Sequence, residues 1–319
     1  MCQHLPAARI AESLDVSRHT ANDAIVAEGH QVLIDDPARF NGVATIGVDK
    51  HVWRHARLGD KYVTVIIDLT PVREEAGPAR LLDMVTGRSK HAFTTWLAAR
   101  PEQWRARIDL VALDGFTGYK IAAGEEIPAT TAVMAPFHVV QLFGDALDRT
   151  RQRVQQETLG HRGRKGDPLY GCLRLLRTGL GLPKQHQLTK LESVFDAHPD
   201  HVAVEVTWGT YPRALAAYRH NKPAKGKKIL EHIIAQLASG VPKDLPELAT
   251  LVRTIKRRAT DILAFVDRPG TNNGPSEAIN GRVEHLRGTA LGFRNIAHYI
   301  ARSLLEAGGF RRRLHAHLR

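Results

Sequence analysis

The sequence predicts an α/β protein with a large helical portion, on three observations. Two apolar runs, Thr45 to Asp49 and Ile108 to Asp114, each read as a buried strand delivering a carboxylate to its C-terminal end. Between them, Tyr62 to Leu69 is rich in β-branched residues. From His138 onward the apolar period becomes that of a helix, about 3.6 residues, and proline-containing turns separate the segments that follow.

In chain order, Ala8 to Leu14 and Arg18 to Ile25 read as two short helices about the turn Asp15-Val16-Ser17, with Ser17 placed to cap the second. Ile10, Leu14, Val16, Ala21 and Ile25 would form one small apolar face. The pair is similar to the second half of a helix-turn-helix, in which Arg18, His19, Thr20 and Asn22 would face a DNA groove. An ordinary helical hairpin would read the same way. Asp35 to Gly42 is a polar hinge, after which Thr45 to Asp49, Tyr62 to Leu69 and Leu81 to Val85 follow as successive strands of a meander. Ser89 would cap a helix from His91 to Arg100, whose Phe93, Trp96 and Leu97 belong to a core.

Asp49 either serves chemistry, since open α/β sheets hold ligands beyond their strand ends, or it merely starts a turn. Asp114 changes that balance. Two carboxylates on adjacent strands repel, and a bound divalent cation would relieve the repulsion. Tyr119 to Ala123 then reads as a short helix and Thr131 to Met134 as a strand.

Val139, Leu142, Ala146, Leu147, Thr150 and Val154 share one stripe of a long amphipathic helix that ends near Gly160. The loop from His161 to Gly166 is rich in glycine and base, but it lacks the Gly-Lys-Ser/Thr ending of a nucleotide P-loop, which excludes an ATP site of that type. Arg162, Arg164 and Lys165 there contact a phosphate backbone or line a solvated turn. Further helices are expected over Leu173 to Thr178, Leu188 to His198, Tyr211 to His220, Ile229 to Ser239 and Leu245 to Phe265. The loop from Arg268 leads into a helix with Glu277 in its first turn, where the helix dipole alone would favour an acid. Ala278, Ile279, Val283 and Leu286 would bury one side of that helix. A helix from Ile296 to Ala307 and the basic run Arg311-Arg312-Arg313 close the chain.

The 319 residues suffice for one large or two ordinary domains, and 43% hydrophobic with 24% charged residues is a globular composition. Forty-five Lys and Arg against 33 Asp and Glu give a formal charge of +12, which favours a polyanionic partner. No run approaches the roughly 18 apolar residues of a membrane span, and no signal peptide is indicated, so a cytoplasmic location is expected. Cys2 and Cys172 are too few for a disulfide framework or a thiolate zinc site.

Gly47-Val48-Asp49, Leu113-Asp114, Phe137-His138-Val139-Val140, the Leu159 to Gly166 loop, Asn273-Gly274-Pro275-Ser276-Glu277 with Ile279-Asn280, and Gly292-Phe293-Arg294-Asn295 together carry a resemblance. From about residue 41 to the end, the chain resembles the ISL3 family of insertion-sequence transposases. That resemblance implies an RNase H-like catalytic core with the triad Asp49, Asp114 and Glu277, interrupted by a mostly helical insertion. It divides the chain into a partial helix-turn-helix over 1–40, a first core part over 41–159, the insertion over 160–265 and the core completion over 266–319.

It further implies Mg²⁺-dependent cleavage and strand transfer at element ends by two ions, with Mn²⁺ able to substitute and Asp49 bridging both. DNA, as element end and as target, is the implied partner, with no membrane, an association with the nucleoid and a homodimer or larger assembly on DNA. Arg287, Arg294 and His138 are implied phosphate or supporting contacts. Two departures stand out. The cysteine-bearing segment that usually opens such chains is absent, which points to a truncated copy, and Ala135 stands where the family commonly has Asp. A catalytically silent DNA-binding remnant is therefore the alternative.

Overall fold

A computed structural model of the chain describes residues 7–55, 61–179, 181–268, 270–271, 274–290 and 292–317. Cys2, Asn273 and Leu291, named above, lie outside the described residues. The chain divides into two compact units, Met1–Val133 with Gly270–Arg319, and Met134–Pro269.

The first unit begins with the hairpin of α1 (Ala7–Ser13) and α2 (Arg18–Gly29). Ser17 caps α2 by accepting the Thr20 N–H at 3.0 Å, satisfying one of the donors that every helix start leaves open. Ile10, Ala11 and Ala21 are buried together, with Ile25 packed against them. Leu14 and Val16, expected on that apolar face, stand 65% and 40% exposed instead. Between them Asp15 takes a positive φ of 51°, and the tight turn this makes swings both neighbours outward. The expected polar hinge contains a 3₁₀ turn, Pro37–Phe40, whose Arg39 is buried and donates to the Leu82 carbonyl at 2.6 Å.

The sheet follows: β1 (Thr45–Val52), β2 (Tyr62–Asp68), the turn helix α3 (Thr70–Arg73), β3 (Arg80–Thr86), α4 (Lys90–Ala98), α5 (Glu102–Arg107), β4 (Leu110–Leu113), α6 (Thr117–Glu126) and β5 (Thr131–Met134). Its order is β3-β2-β1-β4-β5. β1, β2 and β3 form the expected antiparallel meander, and β4 joins β1 in parallel, so the sheet is mixed. β2 is buried nearly throughout, as its unbroken apolar run requires of a central strand. α5 was not foreseen, because six residues are too few to display a helical period.

The second unit is helical: α7 (Pro136–Leu159), α8 (Pro168–Gly171), α9 (Leu173–Leu176), α10 (Gln185–Asp196), α11 (Val202–Trp208), α12 (Tyr211–Arg219), α13 (Pro223–Ser239) and α14 (Pro246–Asp267). α7 starts two residues before the expected His138, since a proline in the first turn lacks only an N–H that would go unpaired. Gly160 ends it in the left-handed conformation at φ 73°. The stripe residues Val139, Ala146, Leu147 and Val154 are buried in one core with Leu191, Val204, Leu230 and Ile255. Arg153 ties α7 to α14 through Glu247 at 2.8 Å.

The chain returns to the first unit with α15 (Gly274–Thr289), α16 (Ile296–Ala307) and α17 (Phe310–His317). Ile279 and Val283 of α15 and Tyr299, Leu304 and Leu305 of α16 cover one sheet face against Val63, Val65, Ile67 and Leu81. Phe93, Trp96 and Leu97 of α4 and Tyr119 and Ala122 of α6 cover the other, against Ile46, Val48, Ile66, Val111 and Leu113. Ala278, expected on the buried side of its helix, is exposed one position off the stripe. The architecture is an RNase H-like α/β core with a helical body inserted between β5 and α15.

Candidate active site

Asp49 does not end its strand. β2 is longer than β4 and holds β1 in pairing to Val52, with Asp49 opposite Val65. The parallel β1·β4 register, by contrast, stops at Val48↔Leu113. Asp49 and Asp114 are therefore each the first residue beyond that parallel pairing. Val48 and Leu113 pack toward α4 and α6, so alternation sends the two acids to the opposite face, toward α15 and α16. His51, two residues further along β1, follows the same alternation and meets the Tyr299 hydroxyl at 2.7 Å. With neighbouring strands about 4.8 Å apart, the two carboxylates are neighbours.

Asp114 is fully buried, and its Oδ1 accepts the Phe116 N–H at 2.8 Å, a turn bond that fixes the carboxylate. The Lys50 ammonium stands 3.4 Å from its Oδ2. Asp49, 7% exposed, accepts the Lys50 N–H at 2.8 Å on Oδ1 and the Asn280 amide at 3.1 Å on Oδ2. Asn280 lies three residues after Glu277 on α15, hence on nearly the same helix face. Burial pushes the Asp49 carboxyl up to about 6, with the negative charges of Asp114 and Glu277 adding to the shift and Lys50 opposing it. Beside them, burial also raises the Tyr119 hydroxyl well above its ordinary value, so it stays a neutral phenol bonded to Thr64 Oγ1 at 3.0 Å.

The donor set suits a hard divalent cation, because it consists of carboxylate and amide oxygens. Two further features fit. Repulsion among the acids is what a cation would relieve, and the Asn280 Oδ1 is buried without a hydrogen-bond partner among the described residues. Among the described residues, however, no three His, Cys, Asp or Glu side chains are grouped closely enough to hold a metal ion. Glu277 is exposed in the first turn of α15, so of the three acids it is the one burial does not fix.

Residues 46–303 match the family model of ISL3-type DDE transposases, described as a transposase. The chain belongs to the ISL3 transposase family. No curated protein matches it. DNA is the partner that membership in this family implies. Among the described residues, no helix is long and apolar enough to cross a membrane.

The candidate DNA contacts of this ISL3-family chain fall in several places. Arg18, His19 and Thr20 are exposed on the first turn of α2 and Asn22 is half-buried, while the Thr20 hydroxyl is already engaged with Ser17 at 2.8 Å. Arg294 is exposed in the corner between α15 and α16. Arg287 is held by Glu284, with Nε donating at 3.0 Å. Arg162, Arg164 and Lys165 are exposed on a loop of the second unit, which Asp167 anchors by accepting the Arg164 N–H at 2.6 Å. His138, near the start of α7, packs its ring edge-on to Phe137.

Lys50 escaped the sequence analysis as a site residue, and Asn280 appeared there only within a motif. The spacing Glu277, Asn280 was a usable signal for the last, since it places both side chains on one helix face.

Proposed function

We propose that this ISL3-family chain is a metal-dependent DNA transposase that cleaves phosphodiester bonds at element ends and transfers the strand to target DNA. Asp49, Asp114 and Glu277 would hold the Mg²⁺ ions this chemistry calls for, with Mn²⁺ able to substitute. When bound, such ions activate the attacking oxygen and stabilise the leaving one. The observation that carries the reading is the pair of buried carboxylates just beyond the parallel pairing of β1 and β4, facing the helix that bears Glu277 and Asn280.

The chain's own residues prepare that chemistry. Asp49, whose carboxyl feels the charge of both other acids, would contribute to holding the metal. Asn280 fixes the orientation of its carboxylate, as the Phe116 N–H does for Asp114. Lys50 offsets the negative charge of the pair and lies beside the place a phosphate must reach.

Cleavage of a labelled duplex carrying an element end tests this. Activity should appear with Mg²⁺ or Mn²⁺ and vanish in EDTA. Firm, end-specific binding without cleavage in either cation would assign the chain to DNA binding alone.

A further inference from the structure

A cleft of about 970 Å³ opens within the first unit, between the N-terminal hairpin and the corner that joins α15 to α16. Arg18 and Asn22 of α2 line one side; His285 of α15, Phe293 and Arg294 of the corner and His298 of α16 line the other. The carboxylate site uses none of these residues.

The walls are fixed to one another. Asn22 Nδ2 lies 3.5 Å from His298 Nδ1. At Gly29 α2 comes so near α16 that a Cβ would stand 2.6 Å from Leu305 Cδ2, and Ile25 packs against the core that contains Leu305. The helix that resembles a recognition helix is thus one wall of a preformed cleft, with its first turn turned partly into it.

The cleft's size is that of a small-ligand site, for which about 300–1,000 Å³ is typical, and it is far too small to admit a duplex. Its lining includes the apolar Leu286 and Ala290 and the Phe293 side chain, whose ring packs against Tyr299 at 5.2 Å between centroids. Arg18 and Arg294 are exposed at the rim, and the wall carboxylate, Glu306, is paired with Arg282 at 3.2 Å. An apolar lining with an aromatic ring, three imidazoles and exposed arginines matches an unpaired nucleotide, base against rings and phosphates on guanidinium groups.

We propose that this cleft binds an unpaired stretch of DNA strand, one or two nucleotides long, next to the duplex on which the protein acts. The proposal rests on the transposase reading only in taking DNA as the ligand. Because His285 and Leu286 belong to α15, a strand seated there also holds the helix that carries Glu277.

Fluorescence anisotropy of the full chain in EDTA, with a duplex bearing a three-nucleotide unpaired tail against the same duplex blunt-ended, tests it. The tail should tighten binding about tenfold, the effect of one well-stacked base. Arg18→Ala and Arg294→Ala should each cut the tailed-to-blunt ratio several-fold. Phe293→Leu, with circular dichroism to confirm the fold, should also lower that ratio. Equal affinity for both duplexes, or a ratio unchanged in both arginine variants, would overturn the proposal. A mononucleotide binding as tightly as the tailed duplex would also overturn it, in favour of a free nucleotide. Since no divalent cation is present, a protein that prefers tails but never cleaves fails the earlier reading alone, and one that cleaves without the preference fails this one alone.

Discussion

Burial makes Asp49 a destabilising residue at neutral pH. Its carboxyl titrates at about 6 in the folded chain against an ordinary value of 3.8, so between those values the folded state binds more protons than the unfolded one. The contribution of Asp49 to stability is then least unfavourable below about 4 and worsens as pH rises to 6, by something on the order of 1–3 kcal/mol. Without divalent cation, Asp49→Asn should therefore melt at a higher temperature than the wild type at pH 7, with the gain shrinking toward pH 4. Mg²⁺ should raise the melting temperature of the wild type and leave that of the variant unchanged. A variant less stable than wild type at pH 7 would refute this electrostatic account.

Asn280→Ala should cost roughly tenfold or more in cleavage, since it removes the group that orients Asp49, while thermal melting moves little. Cleavage at the wild-type rate would make Asn280 a bystander. Asp49 and Asp114 were legible as candidates because an acid closing an apolar run is an unusual pattern. Lys50 was not, because spacing alone does not say which side chain reaches a carboxylate on another strand.

Among the elements, the long periodic α7 could be read directly, because its stripe leaves little choice of face. The end of β1 could not be read, because the partner strand β2 decides where β1 stops. The apolar face of the hairpin was misread at Leu14 and Val16 because the conformation at Asp15 is set by a tight turn and not by hydropathy. Ser17→Ala should cost about 1 kcal/mol and speed amide exchange in the first turn of α2, through loss of the cap. Unchanged exchange there would show that packing against α16 alone maintains the turn.

Gly226 in α13 is buried where a Cβ would strike the Ala217 carbonyl of α12. Gly226→Ala gains up to about 1 kcal/mol of helix propensity. Overpacking of roughly 1–3 kcal/mol against rigid backbone outweighs that gain, so the variant should melt lower than wild type. A higher melting temperature would mean that the two helices separate easily.

At the scale of the molecule, the proposed function divides the labour between the formal charge of +12, on which binding a polyanion would rest, and the carboxylates, on which cutting it would rest. The helical insertion was foreseeable from the family resemblance, with which the long gap between Asp114 and Glu277 agrees, and the described residues of that interval beyond β5 hold helices and no strand. The packing of α2 against α16 was not foreseeable, since Gly29 and Leu305 lie at opposite ends of the chain and no local pattern links them.

On the proposed function, Asp49, Asp114 and Glu277 form one metal-dependent site. Its most direct test compares wild type with Asp49→Asn, Asp114→Asn and Glu277→Gln on labelled end-containing duplex in Mg²⁺ and Mn²⁺, alongside a salt titration of binding. Each amide removes a negative ligand with little change in volume, so each variant should lose cleavage while keeping its fold, much of its DNA affinity and the wild-type salt dependence. Equal cleavage by wild type and all three variants would contradict the assignment.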